Sequence, residues 1–202
     1  VRSVLKGLTD AGSGPVILVG HSLGGMTITA VAEAAPTLVR KLVYLTAFCP
    51  INQDALHYIQ SAEGASAVVP QLFQGDPAVI ASARINPNST DAAYQSKTKD
   101  AFFGDFTNDQ FAAALNMITP DEPIGALATK ISPTAANWGS VPRVYIRCSK
   151  DHAIPIALQD KMISEANSYS ATQKFTEFTL DTSHSPFISA PNDVARLLTS
   201  IV

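Results

Sequence analysis

The sequence predicts an α/β protein: a mostly parallel, doubly wound sheet with a helical cap inserted between two of its strands. Three observations carry that expectation. Apolar, β-branched runs recur at residues 16–19, 41–48, 143–148 and 174–180, and unbroken runs of this kind are how strands covered on both faces read. Stripes of helical period stand between them, and strand–helix alternation favours parallel pairing. The stretch 51–140 then interrupts the rhythm with no strong strand of its own.

Taken in order, Val4, Leu5 and Leu8 make a short helical stripe that ends at Gly12 and Gly14, where left-handed backbone is cheap. "VILV" at 16–19 is the first strand, and a small-residue helix over 24–35 follows, stopped by Pro36. "KLVYLTAF" (41–48) is the second strand, "RVYIRC" (143–148) the third, and "KFTEFTL" (174–180) the fourth, its alternation pointing to one partly wet face. Pro155 opens a helix with Leu158 and Met162 four apart. The last helix, 191–201, carries Val194, Leu197, Leu198 and Ile201 on one stripe. Within 51–140, Thr107 and Gln110 form a capping box ahead of Phe111, Leu115 and Ile118 at helical spacing. An insertion of this length is too large for an ordinary loop. It is expected to lie as a helical cap over the C-terminal edge of the sheet, with residues 1–50 and 141–202 as the core.

Composition narrows the function classes. A chain of 202 residues suits one domain, and 46% hydrophobic against 15% charged residues supports a sizeable core and excludes disorder. A net charge of −3 gives no electrostatic footprint for nucleic acid or an acidic membrane surface. No apolar run reaches bilayer-spanning length and no signal peptide is visible. The sequence leaves the compartment unknown, with the cytoplasm favoured. The two cysteines, Cys49 and Cys148, match no metal spacing. Buried free thiols are expected; both follow strands, and the sequence does not decide whether they are bridged.

The chemistry centres on "GHSLG", residues 20–24, directly after a strand and directly before a helix. Gly-x-Ser-x-Gly in that context is a nucleophile elbow: a sharp, strained turn that lifts the serine hydroxyl clear of the sheet. Gly20 and Gly24 are expected to flank Ser22 because a Cβ at either would collide with backbone. The helix N-terminus behind Ser22 offers N–H groups to a developing oxyanion, the Leu23 N–H first. A phosphate loop would need Lys and Ser or Thr after the glycines, and Gly25 is followed by Met26.

A serine hydroxyl needs a base, and the base an acid to orient it, in the chain order serine, acid, histidine. Of the four histidines, His21 adjoins Ser22 and is expected to point away in a structural role. His57 lies early in the cap, and His152 is next to a candidate acid. His184, in "LDTSHSPF", sits in the loop after the last strand, at the same sheet edge as the elbow, and is the expected base. Asp151, just past the third strand, is the expected acid. Asp181 is its rival, with a solvated loop aspartate as its plain alternative.

With these residues in hand the chain resembles the α/β-hydrolase superfamily. "VGHSLGG", "KLVYLTAFCP", "RVYIRCSKDHAIP" and "SHSPF" look most like a group that holds bacterial carboxylesterases of the pyrethroid-hydrolase type, plant methylesterases and hydroxynitrile lyases. The resemblance covers nearly the whole chain. It implies Ser22, Asp151 and His184 as a triad, Leu23 as one oxyanion donor, a small-molecule ester as substrate, and no cofactor or metal. The lyases are expected to place a lysine after the catalytic histidine and a cysteine after the nucleophile; here those positions are Ser185 and Leu23. Both differences favour ester hydrolysis. Members of the fold begin with several strands and a His-Gly loop that supplies the second oxyanion donor. Neither is present, so the resemblance implies an N-terminal portion of about 60 residues beyond this chain.

Phe73, Phe102, Phe103, Phe106, Trp138 and Phe187 are the candidate pocket walls, and their collective bias favours an ester with a hydrophobic part. A hydroxynitrile-lyase-like enzyme and a non-catalytic hydrolase-fold binding protein are the alternatives. A homodimer is compatible with the sequence, which specifies no interface.

Overall fold

The computed structural model describes residues 1–12, 14–170 and 172–201. Along the chain come helix α1 (Arg2–Ala11), strand β1 (Val16–Ser22), α2 (Gly24–Ala34) and β2 (Val39–Ala47). The excursion that follows holds α3 (Ala55–Ile59), α4 (Pro77–Ile80), β3 (Ser82–Arg84), α5 (Ala92–Phe103), α6 (Asn108–Leu115), β4 (Asp121–Pro123) and α7 (Ile124–Ala128). The chain returns with β5 (Arg143–Cys148), α8 (Ile156–Tyr169), β6 (Thr176–Leu180), α9 (Pro186–Ser189) and α10 (Pro191–Ile201).

The main sheet has the order β1-β2-β5-β6, and every neighbouring pair is parallel. Its apolar runs are continuous because both faces are covered. Leu42, Tyr44 and Tyr145 turn one way, into a cluster with Met26, Ile28 and Val31 of α2 and Leu158 and Met162 of α8. Val43, Leu45, Val144 and Ile146 turn the other way and meet Val194 and Ile201 of α10. The strand period of two thus assigns alternate residues to two separate cores. The outermost strand β6 is the wetter one, with Thr176, Glu177 and Thr179 exposed. On the opposite edge β1 pairs only with β2 among the described residues, and Val19 is 46% exposed.

Local signals act as the sequence anticipates. Gly12 ends α1 at φ 59°, and the Thr107–Gln110 capping box closes in both directions at the start of α6. The excursion departs from a purely helical reading, because β3 and β4 pair as an antiparallel ribbon. Ser-Ala-Arg and Asp-Glu-Pro have no β-branched or aromatic residue to signal a strand. The ribbon is held by side chains instead: Arg84 grips Asp121 through two nitrogens, at 2.6 and 3.1 Å, and Ser82 Oγ donates to the same carboxylate at 2.9 Å. Cys49 and Cys148 are buried and free, and burial pushes each thiol up to about 12. Among the described residues no helix is long and apolar enough to cross a membrane.

Candidate active site

The elbow forms where β1 meets α2. Ser22 has φ 53°, a left-handed conformation that costs energy for any residue with a Cβ. Phe48 N–H donates to the Ser22 carbonyl at 3.0 Å and pins the turn to the end of β2. The glycines around it differ from the expectation. A Cβ on Gly20 would lie 2.8 Å from the Gly24 carbonyl oxygen, so Gly20 is required. A Cβ on Gly24 would meet nothing within 4 Å, whereas one on Gly25 would come within 2.0 Å of the Phe48 carbonyl oxygen. The close approach of α2 to the sheet therefore rests on Gly20 and Gly25, and the expected collision at Gly24 does not occur.

Asp151 lies in the turn after β5 and is 2% exposed. Its Oδ1 accepts the N–H groups of Ala153 at 2.7 Å and Ile154 at 2.9 Å. Its Oδ2 accepts the Nδ1–H of His184 at 2.7 Å and the hydroxyl of Thr46. His184, 3% exposed, comes from the loop between β6 and α9. Ser149 N–H bonds the Leu180 carbonyl at 2.9 Å and Lys150 N–H the Thr182 carbonyl at 3.0 Å, so the two loops run together beyond the sheet. Just before His184, Ser183 is tied through its N–H, at 3.0 Å, and its hydroxyl to Asp105 of the excursion. Because Asp151 offers only acceptors, the ring carries its proton on Nδ1, and Nε2 is left as the basic nitrogen.

Ser22 and His184 face a common cavity of about 310 Å³. Among the described residues no hydrogen bond yet joins the Ser22 hydroxyl to the imidazole; such bonds commonly tighten only once substrate is in place. Phe73, Phe102 and Phe103 line the cavity, with aliphatic neighbours such as Ile59, Val69 and Ile118. Among the described residues no Lys or Arg lines it, while Asp121 and Glu122 do. The other three aromatic candidates lie elsewhere. Trp138 is fully buried in the core, its indole N–H donating to Tyr44 Oη at 2.9 Å and its ring 4.0 Å beneath the Arg143 guanidinium. Phe106 stands behind Phe103, with ring centroids 4.9 Å apart. Phe187 is 44% exposed and rests edge-on against His21.

His21 also departs from its expected place. It lines the cavity, its ring lies 4.5 Å from that of His184, and its Nε2–H donates to the His184 carbonyl at 2.7 Å. Burial first, and the neighbouring His184 second, hold its pKa down to about 3, so it is a neutral prop for the loop that carries His184. His152 pairs with Asp100 on the surface, and His57 sits in the first turn of α3. The rival acid, Asp181, is exposed and bound to Ser149 and Lys150. Thr46 is the contact that the sequence did not disclose: it is one polar residue among several in β2, beside Arg40, Lys41 and Tyr44. Among the described residues no group of three or more His, Cys, Asp or Glu is placed to hold a metal ion.

Comparison with known proteins agrees with this architecture. A family model described as "Alpha/beta hydrolase family" matches residues 1–197. Five longer relatives from Arabidopsis thaliana, all with "chloroplastic" in their names, match at 26–31% identity, the first over 189 residues. The chain spans about half the length of these relatives, 40–51%. "Methylesterase 7" of the same plant is 25% identical over 217 residues, covering 99% of this chain and 75% of its own. A "Pyrethroid hydrolase" of Sphingobium wenxiniae is 28% identical over 200 residues, covering 92% of this chain and 62% of its own. Among solved structures, a pyrethroid hydrolase from Sphingobium faniae superimposes with a TM-score of 0.82 at 24% identity, over 98% of this chain and 74% of that one.

Proposed function

Because the chain belongs to the alpha/beta hydrolase family, we propose that it cleaves carboxylic esters with a hydrophobic part, using Ser22 as nucleophile, His184 as base and Asp151 as the residue that orients it. The observation that carries the reading is the juxtaposition at one cavity of a strained serine, at φ 53°, and an imidazole whose Nδ1–H is held by a buried carboxylate at 2.7 Å. The relative named a methylesterase is ester-cleaving by name and the one named a pyrethroid hydrolase is a hydrolase by name, which supports this reaction class here.

In this mechanism the Ser22 oxygen attacks the ester carbonyl carbon while its proton passes to His184 Nε2. The charge that develops on the carbonyl oxygen is met by the N–H of Leu23 at the head of α2. The imidazolium then gives that proton to the leaving alkoxide, which departs as an alcohol and leaves Ser22 acylated. Water then attacks the acyl carbon as it loses a proton to the same nitrogen; the bond to the Ser22 oxygen breaks, that oxygen takes the proton back from the imidazolium, and the acid is released, with Asp151 ionised throughout and fixing the tautomer. The apolar wall of Phe73, Phe102 and Phe103, with the acidic side chains Asp121 and Glu122 also in the lining, suits a neutral ester better than a carboxylate-bearing one.

The test is hydrolysis of short-chain p-nitrophenyl esters by the protein and by Ser22→Ala. The expected result is turnover that falls by about a thousandfold or more in the variant. Turnover that survives Ser22→Ala overturns the reading. So does cyanide release from a cyanohydrin without ester cleavage, or tight ester binding with none.

A further inference from the structure

We propose that Thr46 is a positioning residue: its hydroxyl holds the Asp151 oxygen that receives the His184 Nδ1–H. The inference rests on the ester-hydrolase reading of the site. Two independent features of the fold converge on it.

The first is backbone geometry. From Ile17↔Lys41 to His21↔Leu45 the pairing of β1 and β2 advances residue by residue, and the next partners are Ser22↔Ala47. Thr46 is the residue skipped, a bulge of one beside the nucleophile, with φ 36°. A β-branched side chain is a costly occupant of that region, where glycine or asparagine would sit more easily. Bulges serve to re-aim a side chain, and strain of this kind persists only where the surroundings enforce it. The surroundings do so here: Tyr145 Oη accepts from the Ala47 N–H at 3.2 Å and donates to the Ala47 carbonyl at 2.7 Å, clamping the residue after the bulge.

The second is what the re-aimed side chain reaches. Thr46 is 0% exposed, and its hydroxyl donates to Asp151 Oδ2, the same oxygen that accepts from His184. With Ala153 and Ile154 on Oδ1, four donors fix the plane of a carboxylate that water does not reach. Remove the hydroxyl, and Oδ2 keeps the imidazole alone while Oδ1 keeps two amides. The carboxylate is then free to turn, and the imidazole that follows it loses its aim at Ser22. A residue kept only to shape the bulge would have no need of a hydroxyl or of a branched Cβ.

The experiment compares Thr46→Val, Thr46→Ser and Thr46→Gly with the unaltered protein. It reads kcat and KM on a short p-nitrophenyl ester, the urea unfolding midpoint, and the downfield proton resonance of the His184 Nδ1–H. Thr46→Val is expected to lower kcat about tenfold to a hundredfold with KM nearly unchanged, the size of one hydrogen bond to a charged group. Thr46→Ser, which keeps the donor, should return kcat to within about threefold. Thr46→Gly relieves the strain, so it should unfold at or above the midpoint of Thr46→Val yet stay as slow. The imidazole proton signal should move in Val and Gly and return in Ser. Should Thr46→Val fail to fold, the Ser and Gly proteins decide the matter alone. A slow Gly beside a normal Ser supports the proposal. Gly as fast as Ser, or a proton signal unmoved by loss of the hydroxyl, overturns it. If the unaltered protein shows no Ser22-dependent cleavage, the hydrolase reading fails, and the proton signal still tells whether Thr46 holds the Asp151–His184 pair.

Discussion

Alanine at the adjacent glycines of the elbow should have opposite consequences. A Cβ on Gly25 would stand 2.0 Å from the Phe48 carbonyl oxygen, 2.9 Å from its carbon and 3.0 Å from Ala47 Cβ. An ordinary carbon–oxygen contact is about 3.3 Å, so α2 and the end of β2 would have to part by roughly 1 Å. The obstacle is backbone, and it is coupled: Phe48 N–H is bonded to the Ser22 carbonyl, so displacing it drags the Ser22 turn. Overpacking costs about 1–3 kcal/mol and more when backbone must move; at about 3 kcal/mol and a urea slope of about 2 kcal/mol/M the midpoint falls by about 1.5 M. A Cβ on Gly24 meets nothing within 4 Å at a helical position, so Gly24→Ala should gain between zero and about 1 kcal/mol of helix propensity. Urea unfolding followed by the fluorescence of the lone tryptophan, Trp138, reads both. Equal midpoints for the two variants, or a lower one for Gly24→Ala, would refute this account of how α2 docks.

Two further outcomes follow from the buried polar groups. His21 titrates at about 3 in the fold against 6.5 unfolded, held down first by burial and then by His184. The unfolded chain thus takes up a proton that the native ring refuses. The stability contributed is complete above pH 6.5 and is lost as the pH falls toward 3, by about 1.4 kcal/mol per pH unit. His21→Asn should remove that slope between about pH 6 and about pH 4 in unfolding measurements, and an unchanged slope would contradict the assignment. Trp138→Phe deletes the indole bond to Tyr44 and should lower stability by about 1–3 kcal/mol while kcat/KM stays put. A raised KM would put the ring back on the substrate path.

Which parts of the fold and the site could be read in advance follows a physical line. The apolar strands 41–48 and 143–148 announce themselves because burial on both faces leaves no polar alternation, and the cores fed by Leu42 and Val43 show both faces in use. The meeting of Asp151 with His184 follows from topology: in a parallel sheet every strand delivers its next loop to the same edge. The ribbon of β3 and β4 was illegible because its stability resides in Arg84, Ser82 and Asp121, residues far apart in the chain. Composition marks an aromatic residue as apolar and says nothing of which cavity it faces, so Phe73 and Trp138 could not be told apart.

The hardest features to read all sit where strands end. His21 is expected to point away from Ser22 in a structural role, yet the strand is already turning into the strained Ser22, and the His21 ring props the His184 carbonyl from within the cavity lining. Thr46 is illegible for a stronger reason. A bulge is a property of two strands, visible only when Leu45 and Ala47 are seen to pair with consecutive residues of β1. No periodicity within "KLVYLTAFCP" contains that count. The side chains proposed to do chemistry belong to a few residue types at stereotyped turns, which motif and topology can single out. The groups that aim them are set by register across the sheet, so only the folded chain reveals them.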